Sequence, residues 1–299
     1  MTIADIMEEY SLLQAKRRQK IERLRQKNSQ PPLSDLDERR RELLLMPMRA
    51  ALFGEPFDPA ANDLLLAETE RQMEEAGGCP DPDAAVPYRC GRCRDTGYLK
   101  DGEMCGCMRK RIYTDVFGAY DIDALTGSFE AFDLSLFDNK KKMEKLKNLL
   151  TGFAAYRDRD VITLSGYSGV GKTFLLSSLA KRAEQTEEGS VMYIGAFTLF
   201  SDFHAHRLGE MASVLPIYNA KLLIIDDLGT EQMTQNVTRE YLFDLLEARR
   251  RNHLPTVFAT NMDKASLADR YTEKVISRLL DAESSWFIML DSRDLRKQV

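Results

Sequence analysis

Residues 161–185 read VITLSGYSGVGKTFLLSSLAKRAEQ, and no other stretch of the chain restricts its fold as tightly. A β-branched apolar run leads into Gly166-Tyr167-Ser168-Gly169-Val170-Gly171-Lys172-Thr173, and an amphipathic helical run follows at once. The spacing G-x-x-x-x-G-K-[ST] between a strand and a helix is the pattern of a phosphate-binding loop. Its glycines allow a turn tight enough for successive N–H groups to surround a phosphate, and the helix N-terminus adds a favourable dipole. Lys172 is expected to neutralise the β- and γ-phosphates of a nucleotide, and the Thr173 hydroxyl to ligate Mg2+. Such a loop needs a sheet behind it. The apolar runs 161–166, 190–196, 220–227, 256–261 and 284–290 are separated by helix-length crossovers. That alternation predicts an α/β domain with a five-stranded parallel sheet covered on both faces.

A second element of the site should end a neighbouring strand. Leu222-Leu223-Ile224-Ile225-Asp226-Asp227 is an apolar strand closed by two acids, at the sheet edge where ligands bind in such folds. Asp226 is the metal-side carboxylate by position, and Asp227 the group that would polarise an attacking water. Aspartate is one methylene shorter than the glutamate many ATPases use there, so slow, partner-stimulated hydrolysis is expected. Glu231 stands in reserve, although a solvated surface residue is the plainer reading. Asp226-Asp227-Leu228-Gly229 also satisfies D-x-x-G, which raises GTP. The guanine-reading N-K-x-D order is absent, because the matching segment is Asn261-Met262-Asp263-Lys264; ATP is the expected nucleotide. Asn261 either orients water near the γ-phosphate or caps the helix starting near Lys264, and its position alone leaves both open.

The N-terminal part reads differently. Residues 1–78 carry helical periodicity, with Pro31-Pro32 breaking a first run from a second over Ser34–Phe53 and a third over Ala60–Ala76 that stops at Gly77-Gly78. The turn-rich connector 79–87 then leads to CGRCRDTGYLKDGEMCGC at 90–107. Four of the five cysteines lie there, Cys90, Cys93, Cys105 and Cys107, and Cys79 is left over. Asp101-Gly102 predicts a hairpin that faces one pair with the other. Four converging thiolates suit tetrahedral Zn2+ and leave no open coordination position, so a structural site is expected. No apolar run is long enough for a transmembrane helix, and the N-terminus lacks the charge order of a secretory signal. A cytoplasmic setting follows, where clustered thiols favour metal over disulfide. Net charge is −5, from 42 basic and 47 acidic residues, which argues against a general DNA-coating protein. A basic run at Lys16–Lys27 is a local nucleic-acid patch or a solvated helix face. A further basic helix is expected around Asn139 to Tyr156. Three regions result: helical 1–78, a zinc module at 79–118, and an ATPase domain at 119–299.

Beyond these pieces the chain carries GSFEAFDLSLFD (127–138), YIGAFTLFSDF (193–203), LLIIDDLGTE (222–231), RYTEKVISRLL (270–280) and RDLRKQ (293–298). With Y-x-C-x-x-C-x-D-T-G from Tyr88 and C-x-C from Cys105, it resembles AAA+ ATPases of the DnaC/DnaI type. These are bacterial replicative-helicase loaders related to the transposition helper IstB. The resemblance covers most of 88–298; residues 1–78 share only helical character. It implies that Asn261 is the sensor-1 residue and Arg278 an arginine finger reaching a neighbouring subunit's ATP, hence self-association through ATP sites. Arg296 would be the sensor-2 arginine, with Arg293 as its rival, and with three residues after it little or no C-terminal lid is expected. Single-stranded DNA would lie near the helix at Thr198–Leu208, where Phe203 stacks on a base or packs in the core; His204 and His206 read as surface residues. The N-terminal helices would grip a DnaB-type hexameric helicase. The implied function is ATP-dependent loading of that helicase onto single-stranded DNA, with ATP hydrolysis as a release switch. The alternatives are an IstB-like transposition helper and a slowly hydrolysing, ATP-switched DNA-binding adaptor.

Overall fold

The computed structural model describes residues 1–152, 159–187, 189–290 and 295. The chain forms two compact units, one of Met7–Glu103 and one of Met1–Ile6 with Met104–Val299.

The first unit contains most of α1 (Ile3–Asn28), then α2 (Leu33–Phe53) and α3 (Pro59–Glu75). The chain breaks after Asn28, before Pro31-Pro32, where proline removes a donor and restricts the residue before it. Asp58 starts α3 by accepting from the N–H groups of Ala60 and Ala61, with Pro59 at the first helical position. Leu33 and Leu43 of α2 and Met73 of α3 are buried, and Arg40 pairs with Glu70 at 2.7 Å between the two helices. In the basic run of α1, Arg17 donates to the carbonyls of Val86 and Asp83, and Arg25 pairs with the Asp83 carboxylate. Those cations are engaged with the 79–87 connector.

In the second unit, α4 (Gly106–Arg111) continues into a π-helical turn over Ile112–Val116, and α5 (Lys140–Thr151) precedes the sheet. The expected extension of α5 to Tyr156 lies outside the described residues. Then follow β1 (Val161–Ser165), α6 (Lys172–Glu187), β2 (Val191–Gly195), α7 (Ala196–Arg207), α8 (Leu215–Tyr218) and β3 (Leu222–Leu228). The unit closes with α9 (Thr238–Arg251), β4 (Thr256–Thr260), α10 (Lys264–Arg270), α11 (Glu273–Leu279) and β5 (Ser285–Met289). The five strands are parallel in the order β2-β3-β4-β1-β5. Chain order and spatial order part company at β1: the chain leaves it for the far edge, and β5 returns to its other side. A crevice opens at the carboxyl ends of strands at such a switch point. Buried Ile162, Leu164, Tyr193, Ile224, Val257 and Ala259 form one core with Leu175, Leu176 and Leu179 of α6. No helix among the described residues is long and apolar enough to cross a membrane.

Candidate functional site: a nucleotide cavity and a cysteine cluster

Strand β1 delivers its loop to a fixed place. Gly166 N donates to Thr260 O at 3.2 Å and Ser165 Oγ to Met262 O at 2.7 Å, so the loop is tied to the end of β4. A Cβ on Gly166 would lie 2.5 Å from Leu290 O, and Gly171 turns at φ +92; both positions require glycine. The loop and the start of α6 border a cavity of about 610 Å3. Ser168, Lys172, Thr173, Asp227 and Asn261 form its polar side. Phe132, Leu136, Phe137, Phe174 and Leu295 form an apolar side, with the Phe132 and Phe137 rings stacked at 5.1 Å.

Lys172 is buried, and its ammonium donates to Gly166 O at 2.6 Å, Tyr167 O at 2.9 Å and Asn261 Oδ1 at 2.7 Å. The last bond holds the Asn261 side chain against the loop. The cap of α10 is Asp263, whose carboxylate accepts from Ser266 N at 2.8 Å, while Asn261 faces the cavity.

The two acids of β3 are neighbours in sequence but not in environment. Asp226 is buried; its Oδ2 accepts from the Tyr193 hydroxyl at 2.7 Å and its Oδ1 from Asp227 N at 2.9 Å. Asp227 is exposed at the cavity. The pairing of β3 with β4 slips between Ile225↔Phe258 and Leu228↔Thr260, so one extra residue of β3 is accommodated. Asp227 takes the left-handed conformation there, at φ +56. Such a bulge re-aims a side chain, and strain of this kind clusters at functional sites. Partial burial, and then the charge of Asp226, raise the Asp227 carboxyl above its ordinary pKa, against the opposing pull of Lys172. Burial also raises the Tyr193 phenol, so it stays a donor at any working pH.

The donor chemistry of Asp226 and Thr173 fits Mg2+, a hard ion bound through one or two carboxylates, hydroxyls and substrate phosphates. Other sequence candidates fall elsewhere. Glu231 is buried rather than solvated, and its carboxylate accepts from Gly229 N at 2.7 Å, Arg270 Nε at 3.0 Å and Tyr271 Oη at 2.5 Å. A carboxylate so committed is a structural knot, not a reserve base. Phe203 is also fully buried, stacked at 4.8 Å on Tyr241, so its ring offers no platform to a base. Arg278 lies away from the cavity lining, on α11, with Nε on Glu247 Oε2 at 2.8 Å. Arg293 and Arg296 lie outside the described residues. His206 meets Tyr241 Oη at 3.0 Å.

At 90–107 the four thiols converge, with all Sγ atoms within 4.8 Å of one another and no disulfide between them. A tetrahedron with Zn–S bonds of about 2.3 Å has edges of about 3.8 Å, so the cluster fits the ion after a small contraction. Local hydrogen bonds shape it. Leu99 N donates to Glu103 O at 2.8 Å across the Asp101-Gly102 turn. The Asp95 carboxylate accepts from Arg89 N at 3.1 Å and Cys90 N at 2.8 Å, and Thr96 Oγ1 donates to Cys93 O at 2.7 Å. Sequence reasoning missed the parts played by Asp95 and Tyr193. Asp95 was visible in the C-x-x-C-x-D-T-G pattern; Tyr193 had only the signal of one phenol in an otherwise apolar strand.

The family described as IstB-like ATP binding protein matches residues 124–282. The replicative helicase loader DnaI of Bacillus subtilis (strain 168) is 27% identical over 153 residues, which is 50% of this chain and 49% of that protein. The chain thus spans about half the length of that relative. The phage-like element PBSX protein XkdC of the same organism is 26% identical over 232 residues, 71% of this chain and 85% of that one. Among solved structures, the DnaC helicase loader has a TM-score of 0.46 at 20% identity, covering 55% of this chain and 97% of that one. Domain III of Thermotoga maritima DnaA has a TM-score of 0.47 at 20% identity, covering 57% and 70%.

Proposed function

The chain belongs to the IstB-like ATP-binding family, and from that premise we propose that it is an ATPase that loads a hexameric replicative helicase onto single-stranded DNA. The observation that carries the ATPase reading is the convergence of Lys172, Asn261 and Asp227 from three strand ends on one cavity. The likeness to DnaI supports the loading reading. The phosphates would sit on the N–H groups of residues 166–173, with Lys172 on the β- and γ-oxygens and the base against Phe132 and Phe137. Mg2+, held by Thr173 and Asp226, would supply charge neutralisation at those phosphates. Asp227 would take the proton of the attacking water and Asn261 would orient that water. Arg278 would act on a neighbouring subunit's ATP once freed from Glu247, so hydrolysis would depend on assembly. Arg296 remains the proposed sensor-2 arginine. The four cysteines would hold a structural Zn2+ within a module at 79–118, between helices at 1–78 that engage the helicase and the ATPase domain at 119–299.

The test is a pull-down with a DnaB-type hexamer, with and without ATP, alongside ATP turnover of the wild type and Lys172→Ala with DNA and helicase present. Binding to the hexamer and turnover lost in Lys172→Ala are expected. No binding in either nucleotide state sinks the loader reading, and equal turnover in the variant sinks the ATPase reading. The IstB-like description of the matching family supports a second reading, a transposition helper, which predicts stimulation of a transposase and no helicase contact.

A further inference from the structure

Tyr193 occupies β2 among Val191, Met192, Ile194 and Gly195, with its side chain in the core. A phenol buried in such a strand needs a partner for its hydroxyl. The partner is Asp226, whose Oδ2 it meets at 2.7 Å. The two strands are in parallel register, with Tyr193 opposite Ile224 and Gly195 opposite Asp226. Tyr120 closes the outer side: its ring stands edge-on to Tyr193 at 4.8 Å, and its N–H donates to Tyr193 O at 2.7 Å.

We infer that Tyr193 is a positioning residue for Mg2+ binding: its hydroxyl fixes the rotation of the Asp226 carboxylate. This rests on Asp226 being the metal-side acid. A carboxylate offers about four lone-pair directions. Tyr193 takes one on Oδ2 and Asp227 N one on Oδ1. The remaining directions are thereby aimed, and the carboxylate cannot turn about its own axis without breaking both bonds. Without the phenol hydroxyl, the Asp227 N–H is the one hydrogen bond left to hold it among the described residues. Outer-shell partners of this kind typically change metal affinity by about 10–100-fold.

The experiment uses the full chain and a fluorescent ATP analogue titrated with Mg2+. Tyr193→Phe keeps the ring and removes the hydroxyl. The Mg2+ concentration for half-maximal tightening of nucleotide binding should rise by roughly 10-fold, while binding in excess chelator stays at the wild-type level. An unchanged Mg2+ midpoint overturns the inference. So does an equal loss of nucleotide binding with and without Mg2+, the signature of a merely structural role. Tyr193→Met, which also lacks the hydroxyl, should shift the midpoint in the same direction, and it decides the matter should Tyr193→Phe fail to fold; no shift there then overturns the inference. Asp226→Asn separates the premise: an unmoved midpoint in that variant refutes the metal-side reading itself. In the Asp226→Asn background, Tyr193→Phe should add nothing, and an additive shift shows that Tyr193 acts by another route.

Discussion

Asp227 combines a strained backbone with a carboxylate, and substitutions can separate the two. It sits at φ +56 where β3 accommodates an extra residue against β4. A residue with a Cβ in that region costs roughly 1–2 kcal/mol, least for Asp and Asn, whose short polar side chains bond locally. Asp227→Gly removes that cost and returns about 0.5–1 kcal/mol as chain entropy, a net gain of up to about 1 kcal/mol. Asp227→Val places a β-branched side chain there and should lose about 2 kcal/mol. The gap between the two variants is then about 2–3 kcal/mol, or about 4–12 °C for a region of this size. Hydrolysis should not follow stability. Gly, Val and Asn variants all lack the proposed base and should lose about 100- to 10,000-fold in turnover with nucleotide binding retained, whereas Asp227→Glu should keep activity. Burial and the Asp226 charge raise the Asp227 carboxyl, so the wild-type rate should fall on acidification at a pH above the ordinary carboxylate range. Thermal melts and phosphate release are the assays. Wild-type turnover in Asp227→Asn refutes its role as base, and equal melting of the Gly and Val variants refutes the strain.

Three further outcomes follow from other parts of the molecule. The purified chain should hold one zinc, and Cys105→Ser or strong chelation should release it and expose residues 88–111 to proteolysis; a metal-free protein resistant to protease contradicts the site. Arg249 is fully buried and donates to Thr256 Oγ1 and to the carbonyls of Ile217, Tyr218, Ala220 and Pro255, so Arg249→Met removes five buried hydrogen bonds and should cost about 3 kcal/mol or more in denaturant melts. Burial raises the Asp202 carboxyl from 3.8 to about 7. Its proton is retained longer in the folded state, so stability is full below about pH 4 and is lost as pH rises through about 7, by up to about 1.4 kcal/mol per unit. Asp202→Asn should flatten that slope in melts from pH 4 to 8, and an unchanged slope rejects the assignment.

Much of this protein was legible in short contiguous segments. The loop at 166–173, the closing acids of β3 and the cysteine spacing each state their chemistry locally, because tight loops, strand ends and hairpins depend on a few adjacent dihedrals and side chains. The parallel sheet was legible for a related reason: strands buried on both faces are continuously apolar, and crossover lengths leave few topologies. Partner choice was not legible. Asn261 could equally have capped α10 until Asp263 was seen to do so, freeing Asn261 for Lys172. Glu231 reads as a solvated acid, yet Arg270 and Tyr271, 39 and 40 residues away, bury and satisfy it. Phe203 lies on a helix whose apolar face is set only by what packs on it, and Tyr241 does. Sequence alone therefore determined the nucleotide loop, the thiol quartet and the α/β class. Tertiary structure alone decided which acid is buried, which is bulged into the cavity, and which phenol holds the first in place. Burial and hydrogen-bond partnership are set by residues distant in the chain, and no local pattern encodes them.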